Sequence, residues 1–296
     1  MKPRVGPIVP CLLIFLAWLA AAASINFTWG FRQDGFRFEA ILSVAAKDLD
    51  GDGRDELIVS GYNYQDNEAC LEVLRWEKGS FTLSWRSPNL WETESTLLAL
   101  PVSWPDGPAL VALTRTGHHI FRYRGNGYTE EAKGQMTFTA EEGCGGDLDG
   151  DDQDEIVVTT TLKNVKNGRE KGLRVLGWRG GRLVVTASSE AIGNIRSVAA
   201  GDLNRDGRAE VAVEIGRTTS AGEFKFFAYS DTGLRQTMGG KTGLPQAAYG
   251  LAIGRQYPEA GLFLFAASQP GRILSYQTID GGLAAGGTDL GFRGSP

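Results

Sequence analysis

An aromatic residue standing just before a glycine-containing turn recurs six times along this chain, and no other feature limits its possible folds so tightly. The six are Trp29 in "TWGFRQDGF", Trp76 in "RWEKGSF", Tyr123 in "RYRGNGY", Trp178 in "GWRGGRL", Tyr229 in "AYSDTGL" and Tyr276 in "SYQTIDGGL", at intervals of 47, 47, 55, 51 and 47 residues. Each reads as a hairpin, two β-rich runs around a glycine turn. Two further strand-like runs lie between successive hairpins, so each period holds four short strands, which is the unit of a β-propeller. Runs such as "ELIV", "EIVV" and "EVAV" are apolar on both faces, as strands sandwiched between neighbouring blades must be. Helical periodicity is absent. We expect an all-β chain of five four-stranded blades, at about 42–88, 96–134, 138–189, 195–240 and 247–289, preceded by an extra hairpin at 25–39. Six blades, one of them half-built, is the alternative.

A second repeat is independent of the first. "AAKDLDGDGRDELIVSG" at 45–61 returns as "CGGDLDGDDQDEIVVTT" at 144–160 and as "AAGDLNRDGRAEVAVEI" at 199–215. Worn-down equivalents stand in the second unit ("LLALPVSWPDGPALVAL") and the fifth ("YGLAIGRQYPEAGLFLF"). The segments 48–56, 147–155 and 202–210 hold 14 acidic and 3 basic residues, net −11. Acidity is therefore local, and no basic patch suits a nucleic acid.

Carboxylates so close together repel one another unless a cation lies between them. In the first loop Asp48, Asp50 and Asp52 occupy positions 1, 3 and 5, Gly53 allows a sharp turn, the Arg54 carbonyl falls at position 7 and Glu56 at position 9. Alternation turns these oxygens toward one centre, and a flexible ring of hard oxygen donors suits Ca²⁺ better than Mg²⁺ or zinc. The second loop offers Asp147, Asp149, Asp151, the Gln153 carbonyl and Glu155, with Asp152 where glycine is expected; aspartate tolerates the left-handed conformation. The third offers Asp202, Asn204, Asp206, the Arg208 carbonyl and Glu210, one charge fewer. Two to three structural Ca²⁺ ions are expected. An EF-hand is excluded by context, because its bidentate glutamate at position 12 is Val59, Val158 and Val213 here and no helices flank the loops. In the second unit Val102, Trp104 and Leu110 stand at positions 1, 3 and 9, so that blade should be metal-free.

The pattern "DLDGDGRDELIV" and its two further copies resemble the FG-GAP, or VCBS, repeat of integrin α-subunit propellers and of many exported bacterial proteins. The resemblance implies that the metal-bearing loops join the first and second strands of a blade on one face of the ring, and that partners bind the opposite face. Loops expected on that face contribute Tyr62, Tyr64, Trp91 and His118, together with Glu92, Lys163, Arg169 and Arg217, a mixture able to stack on sugars or meet a peptide.

The first residues, "MKPRVGPIVPCLLIFLAWLAAAAS", pair Lys2 and Arg4 with an apolar run and small residues ending at Ala23, the form of a secretory signal peptide at 1–23. An uncleaved anchor is the rival, but the run is interrupted by Pro10 and falls short of the roughly 20 residues of a span. The mature chain, 24–296, is expected to be one domain, secreted or associated with the cell envelope, without a membrane span. Its two thiols, Cys70 and Cys144, fall in non-adjacent units and are expected unpaired. His118 and His119 are the only histidines and are adjacent, so no Ser-His-Asp constellation is supported. The reading is a calcium-stabilised binding or scaffold module, not an enzyme, for a carbohydrate or protein ligand. The alternative is a lyase or glycosidase using the face opposite the calcium loops.

Overall fold

The computed structural model describes residues 38–91, 97–165, 168–216, 222–230, 232–241, 250–255, 262–268, 272–279 and 282–284. The leader at 1–23 and all but the end of the hairpin at 25–39 lie outside them, as do Glu92 and Arg217. Twenty strands build five four-stranded antiparallel sheets, the blades of a β-propeller, and the described residues contain no helix. The first blade holds β1 (Ala40–Lys47), β2 (Glu56–Asn63), β3 (Glu68–Glu77) and β4 (Ser80–Arg86). The second holds β5 (Leu97–Trp104), β6 (Gly107–Thr114), β7 (Gly117–Tyr123) and β8 (Tyr128–Gln135). The third holds β9 (Gly143–Gly146), β10 (Glu155–Val165), β11 (Gly168–Arg179) and β12 (Arg182–Ser188). The fourth holds β13 (Ile195–Gly201), β14 (Glu210–Ile215), β15 (Glu223–Ser230) and β16 (Gly233–Lys241), and the fifth β17 (Gly250–Arg255), β18 (Leu262–Ser268), β19 (Arg272–Ile279) and β20 (Gly282–Ala284). Every sheet is a meander, each strand pairing with its neighbours in sequence.

Burial follows position in the blade. The second strands are buried because both faces are covered: β6 is buried from Ala109 to Thr114 and β14 from Glu210 to Glu214. The fourth strands bury few of their described side chains, with Glu130, Glu131 and Lys133 exposed on β8. Five of the six hairpins foreseen from the aromatic marker form, the one at Trp29 lying outside the described residues; Lys78-Gly79 and Gly180-Gly181 both have positive φ, the backbone of a tight turn whose twist matches the strands. The same irregularity recurs on the outer edge of three blades, a register shift at Val73/Leu74, Ile120/Phe121 and Phe226/Phe227. Such bulges add local twist.

The described chain divides into two compact units, one holding the first two blades and the other the last three. In the first unit Ile58, Leu71, Val73, Leu97, Leu110 and Phe121 share one core. In the other, Val157, Val175, Val198 and Val211 pack the third blade on the fourth, and Phe224, Phe226, Leu264 and Tyr276 pack the fourth on the fifth. Between the first and second blades and between the fourth and fifth, the first strands are clipped by a serine at a bulge: Ser43 Oγ accepts the Ala99 amide at 2.8 Å, and Ser197 Oγ accepts the Leu251 amide at 2.9 Å. Close approach also needs glycine. A Cβ on Gly201 would fall 2.5 Å from Ile253 Cγ2. Cys70 in β3 and Cys144 in β9 are free thiols, and burial pushes the Cys70 thiol up to about 11. No helix among the described residues is long and apolar enough to cross a membrane.

Candidate metal centres

The three acidic segments join the first and second strands of the first, third and fourth blades, and they share one backbone path. The chain passes through the left-handed region at positions 4 and 6: Gly51 (+80°) and Gly53 (+82°), Gly150 (+81°) and Asp152 (+64°), Arg205 (+67°) and Gly207 (+87°). Asp152 thus adopts the conformation its side chain tolerates, whereas Arg205 enters it without that help. The position 1 aspartate caps the turn. Asp48 accepts the amides of Gly51 at 2.7 Å and Gly53 at 2.9 Å; Asp147 accepts Gly150 at 2.7 Å and Asp152 at 2.9 Å; Asp202 accepts Asp206 at 3.1 Å and Gly207 at 3.0 Å. The position 5 residues Asp52, Asp151 and Asp206 each accept the amide of position 7, from Arg54, Gln153 and Arg208, at 2.9 Å.

Position 2 is a buried leucine in every loop, Leu49, Leu148 and Leu203, and its amide donates to Oε2 of the position 9 glutamate, Glu56, Glu155 or Glu210, at 2.9, 3.0 and 3.0 Å. That pair fastens the acidic loop to the core beneath it. It also buries the glutamates. Burial first, and neighbouring carboxylates after it, push Glu56 and Glu155 up to about 7 against the pull of the leucine amide, and burial raises Glu210 as well. Carboxyls so placed favour either a proton or a cation at neutral pH.

The loops differ in what they gather. In the second, oxygens of Asp147, Asp149 and Glu155 lie within 4.8 Å of one another, and Asp149 Oδ1 is buried without a hydrogen-bond partner. Burial raises the Asp149 carboxyl, with Asp151 and Asp147 adding to the effect. A divalent cation fits this donor set, since it would satisfy the partnerless anionic oxygen of Asp149. In the first loop Asp48, Asp50 and Glu56 converge equally closely, but the Arg75 guanidinium of β3 is paired with Asp50 and its Nε stands 3.7 Å from Glu56 Oε1. In the third loop Asn204 accepts the Asp206 amide through Oδ1 at 2.8 Å, which turns Nδ2 toward Glu210 Oε1 at 2.6 Å and Asp206 Oδ2 at 3.1 Å. A side-chain amide there bridges the carboxylates.

The second blade lacks an acidic loop altogether, since β5 and β6 run on to a two-residue turn at Pro105-Asp106. Strand register corrects the expected alignment. Leu110 faces Phe121 as Leu57 faces Leu74, so Leu110 matches the residue after Glu56 and not Glu56 itself. Val102 and Trp104 are buried strand residues.

Sequence reasoning missed Arg75 and its counterpart Arg122. The signal was present: arginine directly precedes the hairpin aromatic in the first two units, Arg75-Trp76 and Arg122-Tyr123, where the third and fourth have Gly177-Trp178 and Ala228-Tyr229.

At the other end of β2 the structure gathers three of the four residues singled out for ligand contact. Tyr62 is buried and stacks on Tyr64 at 5.5 Å between centroids, and it meets the Trp91 ring in a T-shaped pair with centroids 4.7 Å apart. Tyr64 and Trp91 are 56% and 36% exposed, so they form the accessible part of the cluster. Asn89 braces it by accepting the amides of Ala69 and Trp91. Eight residues of strand place this shelf roughly 25 Å from the first acidic loop. His118 does not join it. The turn before β7 needs only Arg115 and Thr116, so His118 is a buried strand residue packed against Gly134, not a loop residue.

Residues 147–213, which span the second acidic loop, the fourth blade's first strand and the third loop, match the family described as FG-GAP-like repeat. No curated protein matches the chain.

Proposed function

We propose that this chain is an exported, calcium-stabilised β-propeller that serves as a binding module, with the cation structural and the ligand a carbohydrate taken at Tyr64 and Trp91. The observation that carries the reading is the second acidic loop, where Asp147, Asp149 and Glu155 converge around a buried oxygen with no partner. These residues would hold Ca²⁺, which would supply positive charge to a segment carrying six acidic residues and no basic one. The match to an FG-GAP-like repeat across 147–213 supports the same assignment. Export rests on the leader at 1–23.

A carbohydrate is favoured over a peptide because the shelf offers flat, half-exposed aromatic faces, with the Tyr64 amide already bound to Glu39 Oε2 at 2.9 Å and so unable to extend a strand ladder at that residue. The test is a thermal melt of the mature chain in excess chelator and in Ca²⁺, followed by retention on immobilised polysaccharides by the parent and Tyr64→Ala proteins. Calcium should raise the melting temperature, and Tyr64→Ala should lose retention without changing the melt. Melting curves that superimpose with and without Ca²⁺ refute the structural cation; release of reducing ends from a retained polysaccharide shows a lyase or glycosidase instead.

A further inference from the structure

The strand registers allow the blades to be compared residue by residue. Leu57 faces Leu74, Leu110 faces Phe121, Ile156 faces Leu176 and Val211 faces Phe227. The next residue along each third strand is therefore Arg75, Arg122, Gly177 and Ala228 in the first four blades. Where the acidic loop has gone, in the second blade, Arg122 is 2% exposed, donates to the Gly107 carbonyl at 2.6 Å, pairs with Glu131 and lies over the Trp104 ring at 5.7 Å. Where the loop is acidic and the position is small, as beside Asp147, no side-chain cation can reach it from that position. Only the first blade has both the arginine and the full acidic loop.

Arg75 is held for this place. Its guanidinium lies over the Tyr123 ring at 5.6 Å while pairing with Asp50, whose side chain is 5% exposed, and Glu56 is 2% exposed beside it. From this geometry we infer that Arg75 is the resident cation of the first acidic loop, that a divalent cation binds there only by expelling the guanidinium, and that the second loop is the tight site. The inference rests on the reading that the second loop takes Ca²⁺, and it divides what the sequence presents as equivalent sites into one whose carboxylates are paired with an arginine of their own blade and one whose Asp149 Oδ1 is left for a metal. A fixed guanidinium excludes a second cation sterically and by like charge, and its planar fork suits a carboxylate pair where a point charge would not.

The experiment is calorimetric titration of the chelated mature chain with CaCl₂, alongside melts in chelator, for the parent, Arg75→Met, Asp147→Asn and the double variant. The parent should show one strong site, weakened at least about tenfold by Asp147→Asn. Arg75→Met should gain a second site that the double variant retains, and its melting temperature in chelator should fall below the parent's and recover with Ca²⁺. A parent with two comparable sites, an Arg75→Met protein whose stoichiometry stays at one, or an unchanged melt in chelator would each overturn the role of Arg75. A parent that binds no Ca²⁺ refutes the calcium reading instead, and the chelator melt still decides whether Arg75 stabilises the loop. Should Arg75→Met fail to fold, Arg75→Gln carries the same predictions with a polar group in place of the charge.

Discussion

Replacing Leu148 by alanine is the sharpest test of how the acidic loops are anchored. Leu148 is fully buried among Val157, Leu173, Val175, Val198 and Val211, yet it sits between two aspartates in an exposed loop, where a leucine would ordinarily face water. If it is the plug that ties the loop to the core, the substitution removes three buried carbons at about 0.8 kcal/mol each and leaves a cavity, for a total of roughly 3 to 4 kcal/mol. In a chain of this size each kcal/mol shifts the melting temperature by about 2 to 4 °C, so a drop of about 10 °C is expected. The amide survives in alanine, so the hydrogen bond to Glu155 is kept and the loss should be similar in chelator and in Ca²⁺. Leu162→Ala in the same blade is the control, since Leu162 is 44% exposed and should change the melt by no more than about 0.5 kcal/mol. A Leu148→Ala drop below about 1 kcal/mol, or one no larger than the control, would refute the argument that the loops are pinned from beneath.

Gly201→Ala should cost about 1 to 3 kcal/mol by thermal or denaturant unfolding, because the new methyl group meets Ile253 at a distance no packed pair tolerates. Burial, with the neighbouring His119 adding to it, holds His118 below its ordinary 6.5, so the unfolded chain takes up a proton before the folded one. Stability from this group is complete above about pH 6.5 and should fall on acidification by up to about 1.4 kcal/mol per pH unit, a slope that His118→Gln removes from the difference between parent and variant. Arg205→Gly should stabilise the third loop or leave it unchanged, since it relieves a left-handed arginine at some cost in chain entropy, and a loss above about 1 kcal/mol would show that the arginine makes a contact of its own.

Most of the architecture was legible because two periodic signals agreed. Strand alternation, glycine turns and the aromatic marker located all five blades to within a few residues, and the acidic segments fell between first and second strands as the resemblance implied. Asp152 at a left-handed position could be foreseen from its short polar side chain. What escaped notice depends on pairing between strands far apart in sequence. Arg75 is 25 residues from Asp50 and meets it only because two ladders bring β3 beside the loop. Asn204 reads as a weaker ligand in sequence, yet the bond that fixes its amide is visible only in three dimensions. The serines that clip first strands, Ser43 and Ser197, both stand in "SVAA" five residues before the acidic motif, but nothing in that tetrapeptide tells which strand the hydroxyl will meet. His118 was misplaced because "TRTGHH" has the look of a longer turn than the backbone uses.

The bond from a buried leucine amide to a glutamate oxygen occurs at the same place in three loops whose carboxylates have three different surroundings: a guanidinium at Asp50 in the first, a partnerless oxygen of Asp149 in the second and a side-chain amide from Asn204 in the third. Nature has thereby supplied a calibration series inside one molecule. The amide protons of Leu49, Leu148 and Leu203 share temperature, solvent and backbone geometry, so their exchange rates with deuterium compare the three arrangements directly. Added Ca²⁺ should slow Leu148 most, and the ratio of the three rates would rank the loops without reference to any other protein.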